Sequence, residues 1–526
     1  MRITRRRGER GRWSRGDQTV VGQAPSPVVS GASAPACGGG CRRGRLRDCL
    51  TAGGGCPTTG SALAYGRCLT AASLPSAILH WKSKVTANSK KQVLIPACFV
   101  SVRPIMNPIA TELVRDQVAA AVEEAVARTP ISDIHTHLYD PAFGKLLLWG
   151  IDELLTYHYL VAESFRYLDL PFEKFWALPK ARQADLIWEQ LFLKNSPVSE
   201  SCRGVITTLN KLGLDVRKRD LNAVRAWFSE WEVEDYTTHC MELANVRSIC
   251  MTNSPFDDDE RPVWDHGFAR DPRFTAGLRI DPLLLSWQST AAQLSRWGYN
   301  VSEDLTAHTF SEVRRFLRTW TERMNPRFVM VSLSPDFAFP ANTECAQLIE
   351  KAVVPNCREF GLPFAVMPGV RRQVNPELRL AGDGLGLTDL GALQNLCAQF
   401  PDTKFIATVL ARENQHELCV LARKFRNLHI FGCWWFLNNP SLIDEMTRMR
   451  LELLGLSFTP QHSDARVLDQ LIYKWTHSRQ VIGRVLVEKY GDLAATGWVP
   501  SREEIQRDVK KLFGGAFDEF CALKLH

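Results

Sequence analysis

Two imidazoles separated by a single residue, His135 and His137, stand in the segment Ser132-Asp133-Ile134-His135-Thr136-His137-Leu138. Alternate side chains leave an extended strand on the same face, so this spacing aims both rings at one divalent cation. The flanks favour a strand, because a helical pattern ends near Thr129-Pro130 and Tyr139-Asp140-Pro141 opens a loop. Alone, the triplet reads equally well as a solvated surface pair. A cation held by two imidazoles also calls for an anion, and Gln461-His462-Ser463-Asp464-Ala465-Arg466 offers one in Asp464. Two His and one Asp leave positions open for substrate oxygens, as a catalytic rather than a structural site requires. The competing role for Asp464 is a helix cap before Ala465-Arg466.

For these residues to meet, the chain must carry positions 135 and 464 to one rim. From His135 onward, short apolar β-rich segments recur: Ser132–His137, Val246–Thr252, Phe274–Ile280, Arg327–Leu333, Pro363–Pro368, Lys404–Val409, Leu428–Trp434 and Leu456–Pro460. Helical patterns precede or separate them at Thr111–Arg128, Phe310–Met324, Glu344–Phe360, Leu390–Phe400, Glu413–Phe425 and Ile443–Leu454. Such alternation predicts an α/β fold with a parallel sheet, and eight units predict a (β/α)8 TIM barrel with its site at the carboxyl rim. The interval 140–245 is too long for a plain crossover and rich in aromatics and helix formers. It is expected to be a helical insertion after strand 1, lying over the rim, with a separate domain as the alternative. The resulting plan is an N-terminal helix and first strand over 106–139, the insertion, the rest of the barrel over 246–480, and C-terminal helices over 481–526. The tail beyond Trp475 is expected on the barrel exterior.

The formal net charge of +7 conceals two unlike regions. Residues 1–105 hold 17 Lys and Arg against 3 Asp and Glu, which leaves 47 basic and 54 acidic groups in 106–526. The folded part is therefore acidic, and the basic balance carries no nucleic-acid reading for it. The first segment, with Arg5-Arg6-Arg7, two triple-glycine runs and six of the 15 cysteines, lacks periodicity and is expected to be a disordered basic extension. It reads as a targeting peptide, a basic tail, or sequence upstream of a mis-assigned start, the last being favoured because Met106 opens a clean helical segment. The other nine cysteines are scattered singly, without a C-x-x-C pair, as buried free thiols of a reducing cytoplasm would be. No apolar run reaches the roughly 20 residues of a membrane span, so the expected localisation is cytoplasmic.

Several segments, in order, resemble the uronate isomerase (glucuronate isomerase) family of the amidohydrolase superfamily. They are Asp133-Ile134-His135-Thr136-His137-Leu138, His158-Tyr159, Arg279-Ile280-Asp281, Gly369-Val370-Arg371-Arg372 with Asn375, Phe431-Gly432-Cys433-Trp434-Trp435-Phe436, and Ser463-Asp464-Ala465-Arg466. The resemblance runs from about Thr129 to Gly483. It departs from the family at Met367, where a His is usual, at Leu160-Val161-Ala162, and around Tyr473–Arg479.

The resemblance implies a metal-dependent aldose–ketose isomerisation of a hexuronate by proton transfer between C2 and C1. The substrates would be D-glucuronate giving D-fructuronate, or D-galacturonate giving D-tagaturonate. It implies one divalent ion, Zn²⁺ before Mn²⁺, Fe²⁺ or Co²⁺, on His135, His137 and Asp464. Asp464 would also carry the proton, directly or through a water, while His158 and Tyr159 would bind hydroxyls or assist the transfer. A uronate carboxylate calls for a planar donor fork, for which Arg466, Arg372 and Arg279 follow strands eight, five and three; surface ion pairing is their alternative use. Of Trp434 and Trp435, one is expected in the core and its neighbour between strand and helix, with the mouth-facing member shaping the sugar pocket. Expected partners are a small sugar acid and further copies of the chain, with neither nucleic acid nor membrane. The rival readings are a metal-dependent hydrolase of the same superfamily, a nucleic-acid-associated protein using the basic N-terminus, and an inactive barrel scaffold. The hydrolase reading is short of ligands, because Pro363–Pro368 and Lys404–Val409 supply no His, Glu or carboxylatable Lys near their carboxyl ends.

Overall fold

The computed structural model describes residues 108–525, with side chains from Arg115 onward. The expected disordered extension over 1–105 lies outside the described residues.

Seven parallel strands form one sheet in the order β1-β2-β3-β4-β5-β8-β9. These are β1 (Ile131–Thr136), β2 (Val246–Asn253), β3 (Phe274–Arg279), β4 (Val329–Leu333), β5 (Phe364–Pro368), β8 (Phe405–Ala407) and β9 (Leu428–Ile430). Between β5 and β8, a small antiparallel hairpin of β6 (Val370–Arg371) and β7 (Gly384–Leu385), absent from the sequence-based expectation, stands on the rim. The sheet curls into a ring because the eighth segment bonds on both sides. Thr459 N–H donates to Ile430 at 3.0 Å and its carbonyl accepts from Gly432 at 2.8 Å. Further along, Asp464 N–H donates to His135 at 3.1 Å and His137 N–H to Ala465 at 2.7 Å. The expected strand Leu456–Pro460 is thus reduced to a single bridge between Phe431 and Thr459. Pro460 has no N–H to continue a ladder.

The interior of the ring is filled rather than open, with Ile134, Cys250, Met330, Ala365, Met367, Ile406 and Phe431 in one buried cluster. Phe517 and Phe520, one turn apart on the last helix (Ala516–Ala522), join that cluster. Phe517 meets Phe328 edge-to-face with ring centroids 6.0 Å apart, and Phe520 stacks on His429 at 5.1 Å. The tail therefore does not end on the barrel exterior. It seals the amino-terminal end of the ring, because two phenyl rings on one helical face gain more from an enclosed end than from a solvated wall.

Residues 140–245 are helical, with Lys180–Trp188, Glu200–Lys211 and Val233–Ala244 among the longer pieces. They are anchored to the long helix Gln470–Ala495 and the turn before it. The buried Asp469 carboxylate accepts from Gly150 N–H at 2.8 Å and from the Tyr236 hydroxyl. His477 on the long helix contacts Glu200 at 2.6 Å and Thr207 at 2.8 Å. This anchoring sets His158, at the start of the helix His158–Ser164, over the carboxyl ends of the strands. No described helix is long and apolar enough to cross a membrane.

Candidate active site

His135 lies in β1 and His137 one residue beyond it, where pairing with β2 becomes irregular between Asp133 and Thr136. Bulges of this kind re-aim side chains at barrel rims. The His137 Nδ1 bonds Thr252 Oγ1 at 2.9 Å, which leaves its Nε2 facing inward. From the eighth segment, Asp464 Oδ1 stands 3.4 Å from His135 Nε2 and 3.3 Å from His137 Nε2. The three donor atoms lie within 4.8 Å of one another. A tetrahedral ion with bonds of about 2.1 Å spaces its ligand atoms about 3.4 Å apart, so both carboxylate–imidazole edges match one. His135 Nε2 and Asp464 Oδ1 are buried without a hydrogen-bond partner, which an apolar or purely structural role would leave costly. Two nitrogens and one carboxylate oxygen form a group that fits a divalent metal.

These donors open onto a small cavity at the carboxyl rim of the ring. His158, Arg279, Arg372, Trp434, Trp435 and Arg466 also line it. Tyr159 does not: it lies behind His158, ring centroids 4.6 Å apart, and stacks on Phe436 with its buried hydroxyl unpartnered. The two tryptophans are both buried in the inner cluster and both face the cavity, contrary to the expected split between core and outer wall. Strand alternation no longer governs them, because β9 ends at Ile430 and Trp435 begins a turn with φ +48°.

The three arginines differ in what already holds them. Arg279 donates to Asp281 Oδ2 at 2.9 and 2.5 Å, and Asp281 Oδ1 accepts from Ser332 N–H at 2.9 Å. Arg372, on the hairpin, pairs with Asp383 at 2.7 Å. Arg466 has no carboxylate within ion-pair distance among the described residues, and its Nη2 comes 3.4 Å from His137 Nε2. Its guanidinium is thus the one of the three with a planar face left to offer an anion.

Burial pushes Asp464 up, but the two imidazoles beside it outweigh that and hold the carboxyl well below its usual range. Burial lowers His137 and His158, aided in both by Arg466, so both rings are neutral and able to donate a lone pair or a single proton. A neutral imidazole and an ionised carboxylate are the forms that ligate metals.

Three contributors escaped sequence reasoning. His462, two residues before Asp464, is fully buried with both ring nitrogens unpartnered and its centroid 4.8 Å from that of His135. Gly432, with φ +69°, lies against it, since a Cβ there would fall 1.9 Å from His462 Cδ2. Lys474 is buried on the long helix, and burial lowers its ammonium to about 8. His462 shares a hexapeptide with Asp464 and was within reach of a spacing argument; Lys474, inside Leu471-Ile472-Tyr473-Lys474-Trp475, carries no local signal.

No family model and no curated protein matches the chain. Solved structures do. A uronate isomerase from Bacillus halodurans C-125 superposes with a TM-score of 0.77 and 51% identity, over 78% of this chain and 98% of that one. A uronate isomerase from Thermotoga maritima (TM-score 0.62, 77% and 97% covered) and a glucuronate isomerase from Caulobacter crescentus (0.60, 81% and 98%) share the fold at 14% identity. With half of its aligned residues identical to the Bacillus enzyme across nearly that protein's full length, the chain belongs to the uronate isomerase family.

Proposed function

We propose that the chain interconverts a hexuronate aldose and its ketose, D-glucuronate with D-fructuronate or D-galacturonate with D-tagaturonate, using one divalent metal ion. The observation that carries this reading is the meeting of His135, His137 and Asp464 beside an unpaired arginine in one cavity. His135 Nε2, His137 Nε2 and Asp464 Oδ1 would hold the ion, most naturally Zn²⁺ for two nitrogens and an oxygen, with Mn²⁺, Fe²⁺ and Co²⁺ as other occupants. When bound, such an ion polarises neighbouring substrate oxygens and steadies negative charge that develops on them.

Asp464, ionised at neutral pH, takes the C2 proton of the open-chain sugar on the oxygen turned away from the imidazoles. The electron pair of the C2–H bond forms the C1–C2 double bond, and the C1 carbonyl oxygen gains the charge of an enediolate. Return of the proton to C1, with transfer of the O2 proton to O1, completes the ketose without any external oxidant. His158, neutral and over the rim, is placed to pass the hydroxyl proton, with Tyr159 behind it fixing its ring. Arg466 supplies two parallel N–H donors for the C6 carboxylate, and Trp434 and Trp435 close the pocket against water. The nine described cysteines are free thiols, seven of them buried, in keeping with a cytoplasmic enzyme.

The test is turnover. Full-length protein supplied with Zn²⁺ or Mn²⁺ is expected to form keto-uronate from D-glucuronate or D-galacturonate. His135→Ala and Asp464→Asn are each expected to lower kcat at least about 10³-fold in folded protein. Absence of turnover on both sugars by metal-replete protein refutes the assignment.

A further inference from the structure

Ser463, the residue before Asp464, is gripped at both ends of its backbone by groups of opposite charge. Its N–H donates to both oxygens of Asp133, at 3.1 and 3.2 Å. Its carbonyl accepts from the Lys474 ammonium at 2.6 Å and from Asn438 Nδ2 at 2.9 Å. Asp133 also accepts the indole N–H of Trp475 at 2.8 Å and the backbone N–H of His135 at 3.4 Å. One carboxylate therefore reaches both chain segments that carry the candidate ligands. Asp133 and Lys474 are 1% and 4% exposed, and neither belongs to the cavity lining.

Burying a carboxylate and an ammonium is costly even when they are paired, and apolar residues of similar volume would pack the same space more cheaply. The charges must do something packing cannot. Asp464 adopts φ +51°, in the left-handed region that residues bearing a Cβ enter only against a steric cost. Backbone strain of this kind persists only where the surroundings over-determine it, and the grip on Ser463 does so one peptide away. Because Oδ1 must stand within a few tenths of an ångström of its place between two imidazoles, a fixed backbone at Asp464 matters more than a fixed rotamer.

We propose that Lys474 and Asp133 brace Ser463 so as to hold Asp464 in its left-handed conformation, which makes Lys474 a positioning residue that sets metal affinity. The inference rests on the reading that His135, His137 and Asp464 hold the ion. It is tested on the full chain by competition for Zn²⁺ against a chromophoric chelator, alongside thermal unfolding of the metal-free protein. Lys474→Met, which keeps the side-chain length and removes the donor, is expected to weaken Zn²⁺ binding about 10–100-fold. Val485→Ala, a buried truncation on the same helix away from the brace, is expected to lower the melting temperature and leave Zn²⁺ affinity unchanged. If Lys474→Met does not fold, Trp475→Phe carries the test, since it removes only the indole donor to Asp133 and is expected to weaken Zn²⁺ in the same direction. Zn²⁺ affinity equal to wild type in folded Lys474→Met, or in Trp475→Phe where that variant stands in, overturns the brace alone. A wild-type protein that takes up no Zn²⁺ overturns the metal reading and the brace together.

Discussion

Gly432→Ala tests how tightly the rim is assembled around His462. The added Cβ would lie 1.9 Å from His462 Cδ2 and 2.6 Å from Nε2, whereas ordinary contact begins near 3.4 Å. The imidazole must therefore retreat by about 1.5 Å, or the backbone must move. Neither route is open at low cost. His462 is fully buried, packed against Phe431 at 5.5 Å and His135 at 4.8 Å between ring centroids. The Gly432 carbonyl is pinned by the buried Arg450 guanidinium at 2.8 Å, and its N–H by Thr459. Overpacking costs about 1–3 kcal/mol, and φ +69° in a residue bearing a Cβ adds about 1–2 kcal/mol, so about 2–5 kcal/mol of stability should be lost. A ring displaced toward His135 also disturbs a ligand, so kcat/KM on D-glucuronate should fall at least about tenfold, and Zn²⁺ affinity with it. The double variant Gly432→Ala/His462→Ala removes the clash and should recover the steric part, which appears as a coupling of at least about 1 kcal/mol in a urea-denaturation cycle. Wild-type stability and Zn²⁺ affinity in Gly432→Ala, or strict additivity in the cycle, would refute the crowding.

Two further outcomes follow from charges at the same rim. Arg466→Lys should lower kcat/KM about 10–100-fold, mostly through KM, because a lone ammonium cannot replace a bidentate fork; a change under about threefold would assign the carboxylate to Arg372 or Arg279. Glu260, which accepts from Tyr139 at 2.7 Å and from Asn253 and Ser254 at 3.0 Å, has its carboxyl raised by burial from 4.5 to about 7. The folded state thus keeps a proton that the unfolded chain releases, so stability from this group is full below pH 4.5 and is lost as pH rises through 7, by about 3 kcal/mol. Glu260→Gln should flatten that slope and be the more stable protein at pH 8 but not at pH 4.5, which urea titrations at the two values would show.

What was legible in the chain follows the range of the interactions involved. His135-x-His137 could be read because two residues on one strand fix their own relation, and Asp464 because a barrel of parallel units returns its last strand to its first. The helices and strands between were legible from apolar periodicity, which reports burial of one face and needs no knowledge of the partner. The eighth strand was over-read: Phe458 and Thr459 are buried as a strand would be, yet Pro460 limits them to one bridge, so apolar character overstated the pairing. The outer position assigned to one of Trp434 and Trp435 failed for a related reason, because alternation was carried past the point where the backbone turns at Trp435. Lys474, Asp133 and His462 depend on contacts across more than one element, and no pattern along the chain distinguishes a buried ammonium on Gln470–Ala495 from a solvated one. Their common property is that each is a polar group with no local reason to be buried. The residues that sequence periodicity misplaces are therefore the ones most tied to the site, since a fold accepts a buried charge, an unpartnered imidazole or a left-handed Asp464 only where a ligand or a neighbouring strand compensates for it.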